Sequence, residues 1–385
     1  MLRSIYNEDH EAFRSMIRDF VESEVVPHHA EWEKQGHVPR EFYLRLGELG
    51  LHGINVPEEY GGAGETSYKF NMVIAEEVAR AGVSFGAYGI HVNLVRPYLL
   101  AFASEEQKQR WMPGFVSGEM MGALAMTEPG TGSDLAGIAT TAKLSADGTH
   151  YVLNGAKTFI SGGVLADRVL VVARTAPATP EDRRGGLSIL FVDTRSDGYS
   201  VGKKLDKIGL KTSDTAELAF QDVKVPVEDL LGEEGQAFKY LTHNLVEERL
   251  AIVVGSTASA AAAIRFAVDY VKERKAFGQL VASFQNTKFA LAECEAEFQA
   301  AQAFTDRAVE LFDEGKLTPA DAAAAKIFTT EAAGRIIDKC LQLHGGYGYI
   351  NEYPIARIYA DNRVTRIYGG TSEVMKMIIA KNMGV

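Results

Sequence analysis

The sequence predicts an α+β chain in three parts: an N-terminal helical domain over residues 1–120, a middle antiparallel β-domain over 121–234 and a C-terminal helical bundle over 235–385. Three observations carry this. Near the start, Phe13, Met16, Ile17, Phe20 and Val21 recur at three- and four-residue spacing, the period of a helix with one buried face. Between Met121 and Glu234 the pattern changes to short β-type runs divided by turn residues. From Gly235 onwards long, Ala-rich helical stretches return.

Each element has a local signal. Asn7 before Glu8 and Asp9 is an N-cap followed by an acidic first turn. The Pro/Gly segment Asn55–Gly64 ends the early helices. Strands are expected at Tyr151–Leu153, Val169–Ala173, Leu187–Asp193 and Ala216–Phe220, with turns at Ala146-Asp147-Gly148 and Asp197-Gly198. Thr175–Gly186, rich in Pro, Arg and Asp, reads as a mobile hairpin loop. Gly235–Lys275 is one long helical stretch and Leu280–Glu314 a second. A third opens at Thr318-Pro319-Ala320-Asp321, a capping box with Pro at the first helical position. It runs to about His344 and stops at Gly345-Gly346.

Composition narrows the function. The 385 residues are 46% hydrophobic and 24% charged, as in soluble globular proteins, and long enough to enclose a cofactor. A net charge of −11 spread along the chain argues against a nucleic-acid partner, which needs a concentrated basic surface. Lys203-Lys204 and Lys272–Lys275 read as solvated faces. Cys294 and Cys340 show no metal-ligand spacing and are expected to be buried, reduced thiols, so no metal is expected. The apolar stretch Ala251–Ala263 is Ala-rich and closely flanked by charges, so no membrane insertion is expected. The N-terminus shows no targeting pattern. The expected compartment is cytoplasmic for a bacterial chain, or the mitochondrial matrix for a eukaryotic chain trimmed of a presequence.

Three segments carry chemistry. Ala125–Asp134, reading AMTEPGTGSD, follows a strand and sets Gly130 and Gly132 beside Thr127, Ser133 and Asp134. Glycines admit a ligand close to the backbone, whose N–H groups can bind a ring or phosphate; a plain Gly-rich turn is the alternative. Its glycine spacing is not that of the Rossmann fingerprint. In Lys157–Gly163, reading KTFISGG, Phe159 and Ser161 lie two apart and share a strand face, suited to a flat heterocycle or simply to a core Phe. Gln342–Val374 is dense in Gly, Tyr, Arg and carboxylates. His344 within it reads as a helix C-cap rather than a base.

Together these segments resemble the acyl-CoA dehydrogenase family over essentially the whole chain. MTEPGTGSD and the pattern Gln342, Gly345-Gly346, Gly348-Tyr349, Glu352, Arg357, Asp361 look like the family's two signatures, and they flank KTFIS and RKAFG (Arg274–Gly278). The resemblance implies a C-terminal four-helix bundle, FAD in the cleft between β-domain and bundle, and a homotetramer in which a neighbouring subunit completes the FAD site. By motif match, Met126, Thr127 and the Gly132 loop meet the flavin, with Phe159 and Ser161 stacking on it and hydrogen-bonding it. Many relatives have Trp and Thr at those last two places. Ser133 contacts the CoA thioester arm or FAD; Arg274, Phe277, Gln285, Gln342 and Gly346 hold the adenine half and pyrophosphate across the subunit contact; Thr371 is a further FAD position.

Many members carry the catalytic base as Tyr-Glu-Gly-Thr, whereas this chain reads Tyr368-Gly369-Gly370-Thr371. Long-chain and isovaleryl-type members place it instead in a Glu-Arg-Leu helix segment, here Glu248-Arg249-Leu250. The resemblance therefore implies Glu248 as base, the Gly369 N–H as donor to the thioester carbonyl, and Arg249 as an organiser. Glu247 and Glu373 are rival carboxylates, and returning a carboxylate to position 369 is expected to restore part of a lost base. The implied reaction is FAD-dependent desaturation of a long-chain or branched acyl-CoA to the trans-2-enoyl-CoA in fatty acid β-oxidation, with electron-transferring flavoprotein as acceptor. An acyl-CoA oxidase, a flavin monooxygenase or a non-catalytic relative are the alternatives on the same scaffold.

Overall fold

The computed structural model describes residues 3–179 and 181–385. The N-terminal part is helical: α1 (Glu8–Phe20), α2 (Val26–Gln35), α3 (Arg40–Glu48), α4 (Lys69–Ala81), the single turn α5 (Tyr88–Ile90), α6 (Arg96–Phe102) and α7 (Glu105–Ser117). Asn7 caps α1 by accepting from the His10 N–H at 3.1 Å. Ile17, Phe20 and Val21 point into a core with Trp32, Phe42 and Phe85, and Phe13 packs partly against it, but Met16, expected on the same face, is 40% exposed.

The middle part is one sheet of β1 (Gly122–Ala125), β2 (Thr141–Leu144), β3 (His150–Ser161), β4 (Arg168–Arg174), β5 (Leu187–Asp193), β6 (Tyr199–Lys204), β7 (Thr215–Pro226) and β8 (Leu230–Leu231). The order is β6-β7-β3-β2-β4-β5-β8, with β1 also on β4. The sheet is not antiparallel throughout. β1 runs parallel to β4 from Gly122↔Arg168 to Ala125↔Val171, and β2 meets β4 in parallel at Thr141↔Arg174. No hairpin joins β1 or β2 to β4, so the pairing direction is not forced to reverse. β4 and β5 form the expected hairpin around 175–186; Pro180, within that loop, lies outside the described residues.

The C-terminal part begins with the 37-residue α8 (Ala237–Glu273). A short hairpin of β9 (Lys275–Ala276) and β10 (Gln279–Leu280) follows. Then come α9 (Gln285–Asp313), α10 (Pro319–His344), α11 (Pro354–Asn362) and α12 (Ser372–Met383). The second long helix starts at Gln285, not Leu280, because the hairpin and the extended backbone at Phe284 intervene. Thr318 caps α10 as expected, accepting from the Asp321 N–H at 3.1 Å. α8 is long and apolar enough to cross a membrane, yet Ala260, Ala263 and Ala267 are buried with Ala333 and Ile336 of α10. Cys294 and Cys340 are free and buried in the same core.

Candidate active site

Glu248 lies at the end of the first third of α8 and is 8% exposed. Burial pushes its carboxyl up to about 7, against the opposing pull of Arg249 and Lys326. Desolvation penalises the charged form more than the two cations favour it. The Gly369-Gly370 turn abuts it. Both glycines have left-handed backbone, φ 62° and 92°. A Cβ built on Gly369 would stand 2.5 Å from Ile252 Cδ1, 3.5 Å from Glu248 Oε1 and 3.6 Å from Lys326 Cε. Two cations hold the turn by its carbonyls: Arg249 Nε donates to Gly369 O at 3.4 Å and Lys326 Nζ to Gly370 O at 2.6 Å. Thr371 then caps α12, accepting from the Val374 N–H at 3.3 Å.

The rival carboxylates are engaged elsewhere. Glu247 forms a buried ion pair with Arg96 of α6, and Arg96 also donates to Asn55 Oδ1 at 2.9 Å. Glu373 is exposed in the first turn of α12, where its own backbone N–H and the Thr371 hydroxyl hold its carboxyl below the usual range. His344 is 4% exposed. Its Nδ1 bonds Cys340 O at 2.8 Å and its ring stacks on Tyr270, the capping arrangement expected of it.

The Gly-rich loop after β1 is clamped to β3. Lys157 Nζ donates to Met126 O at 3.0 Å and to Glu128 Oε1 at 2.9 Å. Glu128 also accepts from the Ala139 and Thr140 N–H groups, and Thr158 N–H donates to Thr127 O at 2.9 Å. Met126 and Thr127 are half-buried, while Gly132 and Ser133 are exposed. A Cβ on Gly130 or Gly132 would meet nothing within 4 Å. The simple alternation expected at Phe159 and Ser161 is broken. A bulge falls between Lys157 and Ile160, so Lys157 and Thr158 are both buried and Phe159 is pushed outward at φ 59° with 68% exposure.

The other motif residues gather at the far end of α8. Arg274, Gln342 and Gly346 line one 550 Å³ cleft with Tyr270 and Tyr347. Phe277, at φ 51° on the adjoining hairpin, is 96% exposed, and exposed Gln285 opens α9. A bulky residue at positive φ is rare and strained. Among the described residues, two of the four non-glycines in that state are Phe159 and Phe277, both exposed aromatics in the expected cofactor set. Sequence reasoning missed Lys326, Arg96 and Lys157 as site-builders. A buried lysine in the Ala-rich run of α10 was the available signal.

The acyl-CoA dehydrogenase N-terminal, middle and C-terminal domain families match residues 7–119, 123–223 and 235–384. The mitochondrial long-chain specific acyl-CoA dehydrogenase of Sus scrofa is 43% identical over 382 residues, covering 99% of this chain and 88% of that protein. The crystal structure of an acyl-CoA dehydrogenase from Geobacillus kaustophilus is similar with a TM-score of 0.95 at 43% identity, covering 99% of each chain. That of an acyl-CoA dehydrogenase complexed with FAD from Bacillus anthracis has a TM-score of 0.91 at 33% identity, covering 98% of this chain and 67% of that one. The chain belongs to the acyl-CoA dehydrogenase family, FAD-dependent oxidoreductases acting on the CH–CH group of acyl-CoA.

Proposed function

We propose that this chain desaturates a long-chain or branched acyl-CoA to the trans-2-enoyl-CoA, with Glu248 as the base that takes the α-proton. One observation carries the assignment: Glu248 is the buried carboxylate beside the Gly369-Gly370 turn, and burial has raised it to about 7. A carboxylate near neutrality is a stronger base than one in water and remains ionised enough to act. Gly369 presents its main-chain N–H to the thioester carbonyl, where enolate charge develops. Positive φ and the contact with Ile252 explain why that position is glycine.

The residues fit FAD. Open space over Gly130 and Gly132 and an outward Phe159 form a cradle on the middle domain. The half-buried Met126, Thr127 and Ser161 would bind the flavin ring there, with Ser133 reaching the CoA arm. Arg274, Phe277, Gln285, Gln342 and Gly346 would hold the adenine half and pyrophosphate, and Thr371 a further part of the cofactor. When bound, FAD supplies the acceptor for the β-hydrogen with its electron pair. Electron-transferring flavoprotein as acceptor and a homotetramer are part of the same reading, supported by the family resemblance.

The test is anaerobic flavin bleaching with butyryl-, octanoyl-, dodecanoyl-, palmitoyl- and isovaleryl-CoA. Bleaching by the longer or branched members, slow to reverse in air, supports the reading; bleaching by butyryl-CoA alone overturns the chain-length part. Glu248→Gln is expected to retain FAD and thioester while slowing flavin reduction by ~10²–10⁴-fold. The rate should rise with pH through about 7 as the carboxyl ionises, and level off above it. Reduction of Glu248→Gln at the native rate sinks the assignment.

A further inference from the structure

We propose that Lys326 is a positioning residue: its hydrogen bond to Gly370 O fixes the Gly369-Gly370 turn against Glu248, and its charge sets the pH at which Glu248 becomes a base. The inference rests on the reading of Glu248 as base.

Lys326 is 1% exposed, in the first third of α10. A cation there is costly unless something nearby needs it. Among the described residues no carboxylate pairs with it at salt-bridge distance; its Nζ donates to Gly370 O at 2.6 Å. Its Cε and Glu248 Oε1 both lie within 3.6 Å of one point, the place a Gly369 Cβ would occupy. The lysine thus approaches the base through the space that glycine leaves open. With Arg249 holding the preceding carbonyl, the turn is gripped at two successive peptides. The Gly369 N–H lies in the preceding peptide plane, which is flanked by the held Gly369 carbonyl on one side and by the Tyr368 N–H, bonded to Val364 O at 3.1 Å, on the other, so its rotation is restricted.

The charges facing Glu248 come from four elements. Arg249 stands beside it on α8 and Lys326 faces it from α10; both favour its ionised form. Tyr98 of α6 and Tyr368, ahead of α12, also sense it, but burial raises both phenols far above neutrality, so they carry no charge there. The neighbouring Glu247 is balanced by Arg96. Burial draws Lys326 itself down to about 8, with Arg249 repelling it and Glu248 holding it up. It is therefore charged in the range where Glu248 ionises.

The test is the pH profile of anaerobic flavin reduction, using whichever of the five acyl-CoAs above reduces the wild type fastest. Lys326→Met is expected to move the acid limb upward by about 1–2 pH units, since a charge this close is felt strongly at an effective dielectric near 20. Below that limb the rate falls about tenfold per pH unit. Lys326→Arg keeps a permanent cation and should leave the limb in place. An unmoved limb in folded, FAD-loaded Lys326→Met overturns the proposal. Should that variant fail to take up FAD, Lys326→Gln carries the same expectation; if neither takes it up, the lysine serves folding and the positioning role is overturned. Glu248→Gln in the same assay separates the two ideas: loss of fast reduction there with an unmoved limb in Lys326→Met leaves the base standing and removes only the lysine's role.

Discussion

Glu247 and Glu248 are adjacent in sequence but face different neighbours, because successive helix residues point ~100° apart. One side chain turns to Arg96, the other to the glycine turn. The Glu-Arg-Leu register favours Glu248 and leaves Glu247 as a rival, because its partner Arg96 lies 151 residues away in the chain. The same geometry alters an expectation. Restoring a carboxylate at 369 in Glu248→Gln looked sufficient from the motif, but the new Cβ would lie 2.5 Å from Ile252 Cδ1, at φ 62°. We expect Glu248→Gln with Gly369→Glu to stay near the activity of Glu248→Gln alone. Adding Ile252→Ala, which clears the methyl, should raise flavin reduction at least tenfold, roughly 1.4 kcal/mol of barrier. Stopped-flow bleaching decides, and equal rates with and without the Ile252 change would show that the clash does not govern the site.

At the scale of elements, what sequence made legible was what carries a local period or a cap. α1, α8 and α10 were placed from spacing, Asn7 and Thr318. β6 was not, because as a largely exposed edge strand it has no apolar alternation. The bulge at Phe159 was invisible for a related reason: its cause is the pairing with β7 and the buried Lys157–Glu128 pair, whose partners are 29 residues apart. Arg96–Glu247, 151 residues apart, and Lys326–Gly370, 44 apart, escaped likewise. The Lys157 clamp has a testable energetic signature. Burial draws the lysine down to about 8 while Glu128 holds its proton on. Lys157→Met leaves a buried carboxylate without its cation and should destabilise the protein by about 3–5 kcal/mol. The double variant Lys157→Met with Glu128→Gln removes the orphaned charge, so it should lose less. A denaturant midpoint series settles the order, and a double variant less stable than the single would contradict the charge argument.

At the scale of the whole molecule, the two halves of the proposed cofactor set lie too far apart for one FAD held within one chain. Glu248 and Arg274 are separated by 26 residues of α8 and its C-terminus, about 39 Å at 1.5 Å per residue. That exceeds the length of an extended FAD molecule. On the proposed cofactor set, a flavin beside Glu248 would have its adenine half held by another copy's Arg274, Gln342 and Gly346, the arrangement the proposed oligomer requires. The 96% exposure of Phe277 and 90% exposure of Tyr349 in a single chain agree with surfaces awaiting such a neighbour. Complementation tests this directly. Arg274→Ala should hold FAD poorly and Glu248→Gln should not reduce it, so each alone is nearly inactive. Co-expressed in equal amounts, a symmetric pairing gives half mixed pairs, each with one site that combines the intact Glu248 of one chain with the intact Arg274 of the other, so about a quarter of wild-type activity should return. Sites built within single chains predict no recovery at all, because every site then carries one lesion.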